Sequence, residues 1–144
     1  MYLRQNPIKK KIMVMDDEPE MRFFLSNLLN NHGFEMVDME NPSMALQAAA
    51  DTNPDLIILN AMMMKDIGIL IYRGLKQDKT LKQIPVLMLS PLDKMTFFHF
   101  HKLRRNPSSQ ELPEPEAYLK KPVETEQFLE LIHNLLQLKK TGEV

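Results

Sequence analysis

From Lys9 to Thr141, short apolar runs alternate with longer segments of helical period, and this alternation constrains the fold more than any other feature of the chain. It is the signature of a parallel α/β sheet. Ile12-Met13-Val14-Met15 is a continuous apolar run that ends abruptly in Asp16-Asp17-Glu18, as a buried central strand does on emerging at the sheet edge. A helix is predicted next, with Met21, Phe24, Leu25, Leu28 and Leu29 at three- and four-residue steps, Pro19 near its first turn and Gly33 beyond its end. Phe34 to Met39 predicts a weaker strand. Asn41-Pro42 supplies an N-cap and a first-turn proline for a helix carrying Met44, Ala45 and Ala48, which Asn53-Pro54 breaks.

Leu56-Ile57-Ile58-Leu59 is the most strand-like run; it stops at Asn60, before a methionine-rich loop from Ala61 to Ile67. Gly68 opens a third helix with Ile69, Tyr72, Arg73 and Leu75, and a turn from Gln77 to Gln83 closes it. Ile84 to Leu89 predicts the fourth strand, with Pro85 near its start, where a missing N–H is tolerated, and Ser90-Pro91 at its end. A helix from Leu92 to about Arg104 precedes an irregular, proline-containing loop from Asn106 to Glu116. Ala117-Tyr118-Leu119 is a brief fifth strand leading to Lys120-Lys121-Pro122. The last helix carries Phe128, Leu131, Ile132, Leu135 and Leu136 on one face, with Lys139-Lys140 suited to its C-terminal dipole. The pattern is (βα)5. In such sheets reactive residues gather beyond the carboxyl ends of the strands, which singles out Asp16, Asp17, Asn60, Ser90 and Lys121.

Composition removes several classes of function. A chain of 144 residues bounds one core, and 18 basic against 19 acidic side chains leave a net charge of -1, too little to hold phosphate backbone or anionic lipid. Nucleic acid is therefore not an expected partner. The absence of cysteine removes disulfides, thiolate metal sites and a Cys nucleophile, and it suits a reducing compartment. No apolar stretch approaches the roughly 20 residues of a membrane span. The opening MYLRQNPIKKK has no apolar signal core, so a cytoplasmic location is expected.

The four ordered motifs VMDDEP, LIILN, a hydroxyl at the end of strand four and YLKKP resemble the receiver domain of two-component response regulators. The resemblance runs from about Lys9 to Gln137. It implies a flavodoxin-like, doubly wound five-stranded parallel sheet in the order 2-1-3-4-5, and a phosphorelay signalling module, not an enzyme. The expected layout is an extension over 1–8, the domain over 9–138 and a tail over 139–144, with no separate output domain. In that family an aspartate ending strand three accepts a phosphoryl group from a histidine kinase, and Mg2+ sits beside it. By resemblance Asp16 and Asp17 match the acidic residues holding the ion, with Asp17 and the Met62 carbonyl as direct ligands and Asp16 through water. Lys121 matches the invariant cation of the pattern, Ser90 the switch hydroxyl and Tyr118 the aromatic that moves with it.

Several positions depart from the pattern. The phosphoacceptor position is Asn60, and a neutral amide with a delocalised lone pair cannot replace a carboxylate nucleophile. Pro91 follows the switch hydroxyl, where family members use a backbone N–H to hold phosphoryl oxygens, and proline has none. Losing one carboxylate weakens any Mg2+ site, so no cofactor is required. Asp16, Asp17 and Glu18 repel one another, and Lys121 answers that repulsion with Asn60 as a neutral spacer, a pocket fixed in one state. In the loop, Met64 stands for the family's proline and Ile67 for its aspartate, which predicts a mobile, apolar Met62-Met63-Met64 surface. Ser90 and Tyr118 are 28 positions apart. That is about ten more than receivers use, and loops of such length are often functional. It falls on the face formed by the fourth helix, fifth strand and fifth helix, through which receivers contact a kinase or other partner.

This reading is an atypical receiver that works by protein contact, with homodimer formation left open. Two others stay open beside it: a receiver phosphorylated at Asp16, Asp17 or Asp66, and a flavodoxin-like domain holding a small ligand, although only four glycines and no phosphate loop follow the first strand. His99 and His101 do not share a helix face, so exposed histidines around a buried Phe97 or Phe100 are expected instead of a metal site. The runs Lys9-Lys10-Lys11 and His101-Lys102-Leu103-Arg104-Arg105 read as solvated.

Overall fold

A computed structural model describes residues 8–39, 41–104 and 113–142, with only the helical backbone given for 101–104 and 138–142. Strands β1 (Lys11–Met15), β2 (Glu35–Asp38), β3 (Leu56–Asn60), β4 (Val86–Ser90) and β5 (Ala117–Lys120) form one parallel sheet in the order β2-β1-β3-β4-β5. Helices α1 (Pro19–Asn31), α2 (Ala45–Thr52), α3 (Ile67–Gln77) and α4 (Lys94–Arg104) make the crossovers, and α5 (Thr125–Gly142) follows the last strand. The sheet is thus flavodoxin-like and doubly wound.

The central strands are buried because helices cover both faces, which is why β3 and β4 read as unbroken apolar runs instead of alternating ones. The edge strand β2 is only partly covered, and its sequence signal is correspondingly weak. The two faces are filled differently. Beneath α2, α3 and α4 the buried side chains include Met13, Met15, Met39, Met63 and Met88, with Tyr72 and Phe97. Beneath α1 and α5 they are Ile12, Val14, Leu25, Leu29, Leu56, Ile58, Leu87 and Phe128 with their neighbours, and methionine enters only at the partly buried Met21 and Met36.

Local boundaries shift in instructive ways. Asn41 does cap, accepting the Ser43 N–H at 3.1 Å, but it caps a short 3-10 turn, Pro42–Met44, and α2 begins after it. Asn53 ends α2 in a left-handed conformation at φ 47°, which Asn tolerates better than most residues. Gly33 at φ 82° does the same after α1. Pro85 lies just outside β4, its carbonyl accepting the Ile57 N–H at 3.0 Å. α4 begins at Lys94, with Leu92 in the loop before it. Lys11 belongs to β1, leaving Lys9 and Lys10 as the exposed approach. On α4 it is Phe97 that is buried, while Phe100 is 42% exposed and His99 is exposed. The side chains of His101 to Arg105 and of Lys139 and Lys140, the extension to Pro7 and most of the Asn106 to Glu116 loop lie outside the described residues. Among those described, no helix is long and apolar enough to cross a membrane.

Candidate functional site

The carboxyl ends of β1, β3, β4 and β5 meet at one edge, and the strand registers there bring Asp16, Asn60, Ser90 and Lys121 into a single pocket. Asp16 is 3% exposed. A buried carboxylate is costly unless it is paired and hydrogen-bonded. Here one oxygen, Oδ1, accepts the Glu18 N–H at 2.9 Å and the Asn60 Nδ2 amide at 3.2 Å, and Oδ2 faces the Lys121 ammonium at 3.3 Å. Lys121 closes the arrangement by pairing with the Glu18 carboxylate as well.

Asn60, 5% exposed, uses both halves of its amide: Nδ2 donates to Asp16, and Oδ1 accepts the Met62 N–H at 3.1 Å. A carboxylate could make only the second bond, and it would set a second negative charge against Asp16. Asp17 is exposed and reaches sideways, its Oδ2 accepting the Met64 N–H at 3.3 Å. That bond ties β1 to the loop after β3. Met64 and Lys65 adopt left-handed backbone at φ 47° and 65°. For non-glycine residues this costs about 1–2 kcal/mol each. Met63 is buried and Met64 is 52% exposed, so only part of the methionine triplet forms surface.

Gly68 is the second residue of α3 and does not open it; a Cβ there would press on the carbonyls of Asn60 and Ala61, the latter at 2.6 Å. The glycine is needed for close approach of α3 to the end of β3. Ser90 is fully buried, and its Oγ accepts the Leu92 N–H at 3.0 Å. Tyr118 donates its hydroxyl to the Leu92 carbonyl at 2.7 Å and packs its ring against Phe97 and Phe98, with centroids 5.9 and 6.2 Å away. Burial pushes the Tyr118 phenol above its ordinary range, with a hydrogen bond from Ser90 acting the other way and the nearby Asp93 charge adding to the rise.

The set proposed for Mg2+ is Asp17, Asp16 and the Met62 carbonyl. Asp16 and Asp17 are adjacent, but both Asp16 oxygens and one Asp17 oxygen are engaged by protein donors. Among the described residues no three His, Cys, Asp or Glu side chains are grouped to hold a metal. A divalent ion, which prefers open, hard oxygen ligands, would have to displace these bonds to Asp16 and Asp17, and Lys121 already answers the acidic charge. Glu18, which the sequence gives only as one of three mutually repelling acids, is the second carboxylate paired with Lys121. Its only signal is its place in the acidic run.

A parallel sheet in this order, with an acidic carboxyl edge answered by a lysine after β5, defines the receiver class of two-component signalling modules. The family model for the response regulator receiver domain matches residues 12–103, and the chain belongs to that family. Among curated relatives, the chain is 26% identical over 126 residues to the protein PilH of Pseudomonas aeruginosa, covering 88% of this chain and 97% of PilH. It is 27% identical over 128 residues to the polar-differentiation response regulator DivK of Brucella anthropi, covering 89% and 96%. With the phosphate regulon transcriptional regulatory protein PhoB of Pseudomonas aeruginosa it shares 35% identity over 83 residues, 58% of this chain. The chain spans 36% of that PhoB, 9% of histidine kinase P4 of Formosa agariphila and 35% of PhoP of Bacillus subtilis. Among solved structures, a putative response regulator of Chloroflexus aurantiacus superposes with a TM-score of 0.74 at 20% identity, over 90% of this chain and 99% of that one. The chemotaxis protein CheY4 of Vibrio cholerae gives 0.71 at 22% identity, over 89% and 99%.

Proposed function

We propose that this receiver is a protein-contact module whose pocket is held in one state, without accepting a phosphoryl group at position 60. One observation carries the reading: the buried Asn60 amide donates to Asp16 while accepting from Met62, two roles that a carboxylate cannot fill together. Pro91 supports it independently, because the backbone beside Ser90 lacks an N–H for a phosphoryl oxygen. On this reading Lys121, paired with Asp16 and Glu18, already has the anions it needs. Divalent cations bind weakly at Asp16, Asp17 and the Met62 carbonyl. The domain is assigned to residues 9–138, acting in the cytoplasm. The partner, a histidine kinase or another pathway component, docks on the face of α4, β5 and α5.

The test is intact mass after incubation with Mg2+ and acetyl phosphate, or with a cognate kinase. No mass gain is expected. A stoichiometric gain of one acid-labile phosphoryl group overturns the reading, and peptide mapping then tells whether Asp16, Asp17 or Asp66 carries it.

A further inference from the structure

The connection that leads into β5 returns along a fixed path. Within four consecutive positions, Pro113, Glu114 and Glu116 reach α3, α4 and the start of β4. Tyr72 of α3, fully buried, donates its hydroxyl to the Pro113 carbonyl at 2.7 Å. Glu114 pairs with Lys94, the first residue of α4, at 2.8 Å. Pro115 is buried. Glu116 accepts the Val86 N–H at the start of β4 at 2.7 Å and receives the Lys76 ammonium at 2.9 and 3.2 Å.

These contacts differ in strength. The Lys94–Glu114 pair is exposed on both sides, at 48% and 70%, so solvent screens it. The Lys76 side chain is 8% exposed and also reaches the Lys82 and Ile84 carbonyls at 3.3 and 3.5 Å, so its charge is desolvated and Glu116 answers it. The lock therefore sits at Glu116 and Tyr72. Two residues further on, Tyr118 is bonded to the loop before α4 and its ring packs, tilted, against Phe97 and Phe98 of that helix. Whatever fixes Glu116 also fixes the residue that carries α4.

We propose that Pro113 to Glu116 form a built-in latch, pinned by Tyr72 and by the Lys76–Glu116 pair, which holds α4 in place against α3 and β5. α4 needs such a device, because Phe97 is its one fully buried side chain among the described residues. The latch rests on the one-state reading of the pocket, since it supplies from within the chain the restraint on α4 that no phosphoryl group sets.

Hydrogen exchange followed by mass spectrometry on the whole chain, with no phosphodonor present, tests the latch separately from phosphoryl acceptance. The reading is the rate in α4 divided by the rate in β1, compared among the parent chain, Glu116→Gln and Tyr72→Phe. The expected result is a rise in this ratio of about tenfold in each variant, as for a locally released element. If Glu116→Gln does not fold, Tyr72→Phe, which keeps the ring, decides alone. A ratio unchanged from the parent, whether neither segment or both exchange faster, overturns the proposal.

Discussion

Asn60→Asp, the substitution that restores the family's usual residue, is predicted to destabilise the protein at neutral pH. The buried amide donates to Asp16 Oδ1 at 3.2 Å, and an aspartate would replace this donor with a second anionic oxygen at similar distance. Losing a hydrogen bond to a charged acceptor costs about 1.5–3 kcal/mol. Two unit charges about 4 Å apart add about 4 kcal/mol at an effective dielectric constant near 20. The Lys121 ammonium, 3.3 Å from the other Asp16 oxygen, offsets part of that repulsion. A net loss of about 2–4 kcal/mol follows, or roughly 6–12 °C in melting temperature for a domain of this size. The new carboxyl shares its site with Asp16, so its folded pKa lies above its unfolded one. The penalty is accordingly present at pH 7 and shrinks as pH falls and the new carboxyl takes up a proton. Thermal denaturation of parent and variant at pH 7 and pH 5, each with and without excess Mg2+ as a probe, measures it. A variant as stable as the parent at pH 7 without the ion would refute the argument that Asn60 is there as a neutral donor.

Other expectations follow from particular contacts. The same Asn60→Asp chain, incubated with acetyl phosphate and weighed intact, should gain little phosphoryl mass because Pro91 still lacks its N–H; efficient labelling would show that the proline matters less than argued. Gly68→Ala should cost about 1–3 kcal/mol in urea unfolding, because the added methyl meets backbone carbonyls that cannot rotate away. Lys65→Gly should stabilise by about 0.5–1 kcal/mol, since relief of the left-handed backbone at φ 65° exceeds glycine's entropic cost; equal stability would mean the loop relaxes freely. Tyr72 and Tyr118 are both held above their ordinary 10.0, chiefly by burial. The stability this gives is complete below pH 10 and is lost as pH rises through the folded values, so Tyr72→Phe should flatten the alkaline limb of a denaturation series.

The sequence made the strands of the sheet centre legible because burial on both faces leaves an unbroken apolar run, as in Leu56 to Leu59. It made Asp16, Asn60 and Ser90 legible because each follows such a run directly. Gly68 was visible but its reason was not: nothing local to it reveals that the carbonyls of Asn60 and Ala61 lie against it. Glu116 and Tyr72 were not legible as an anchor at all. Their partners are 30 to 41 positions away, and a glutamate after a proline-rich loop reads like any solvated acid. The methionine triplet misled for a similar reason, since an apolar run in a loop does not say which member turns inward: Met63 is buried, Met62 packs partly against the core and Met64 is exposed.

The unequal filling of the two faces bears on how this molecule tolerates substitution. Methionine is unbranched and takes up irregular space, so a layer holding Met13, Met15, Met39, Met63 and Met88 can absorb small changes of volume by side-chain rearrangement. The opposite layer, built mainly from leucine, isoleucine and phenylalanine, has few such degrees of freedom and registers each added or missing methylene as strain or void. Sequence drift should accordingly accumulate beneath α2, α3 and α4, whereas the layer under α1 and α5 stays close to one solution. Oxidants act in the opposite sense: where sulfoxide formation reached this layer it would turn adaptability into polarity, whereas the opposite layer offers methionine sulfur only at the partly buried Met21 and Met36.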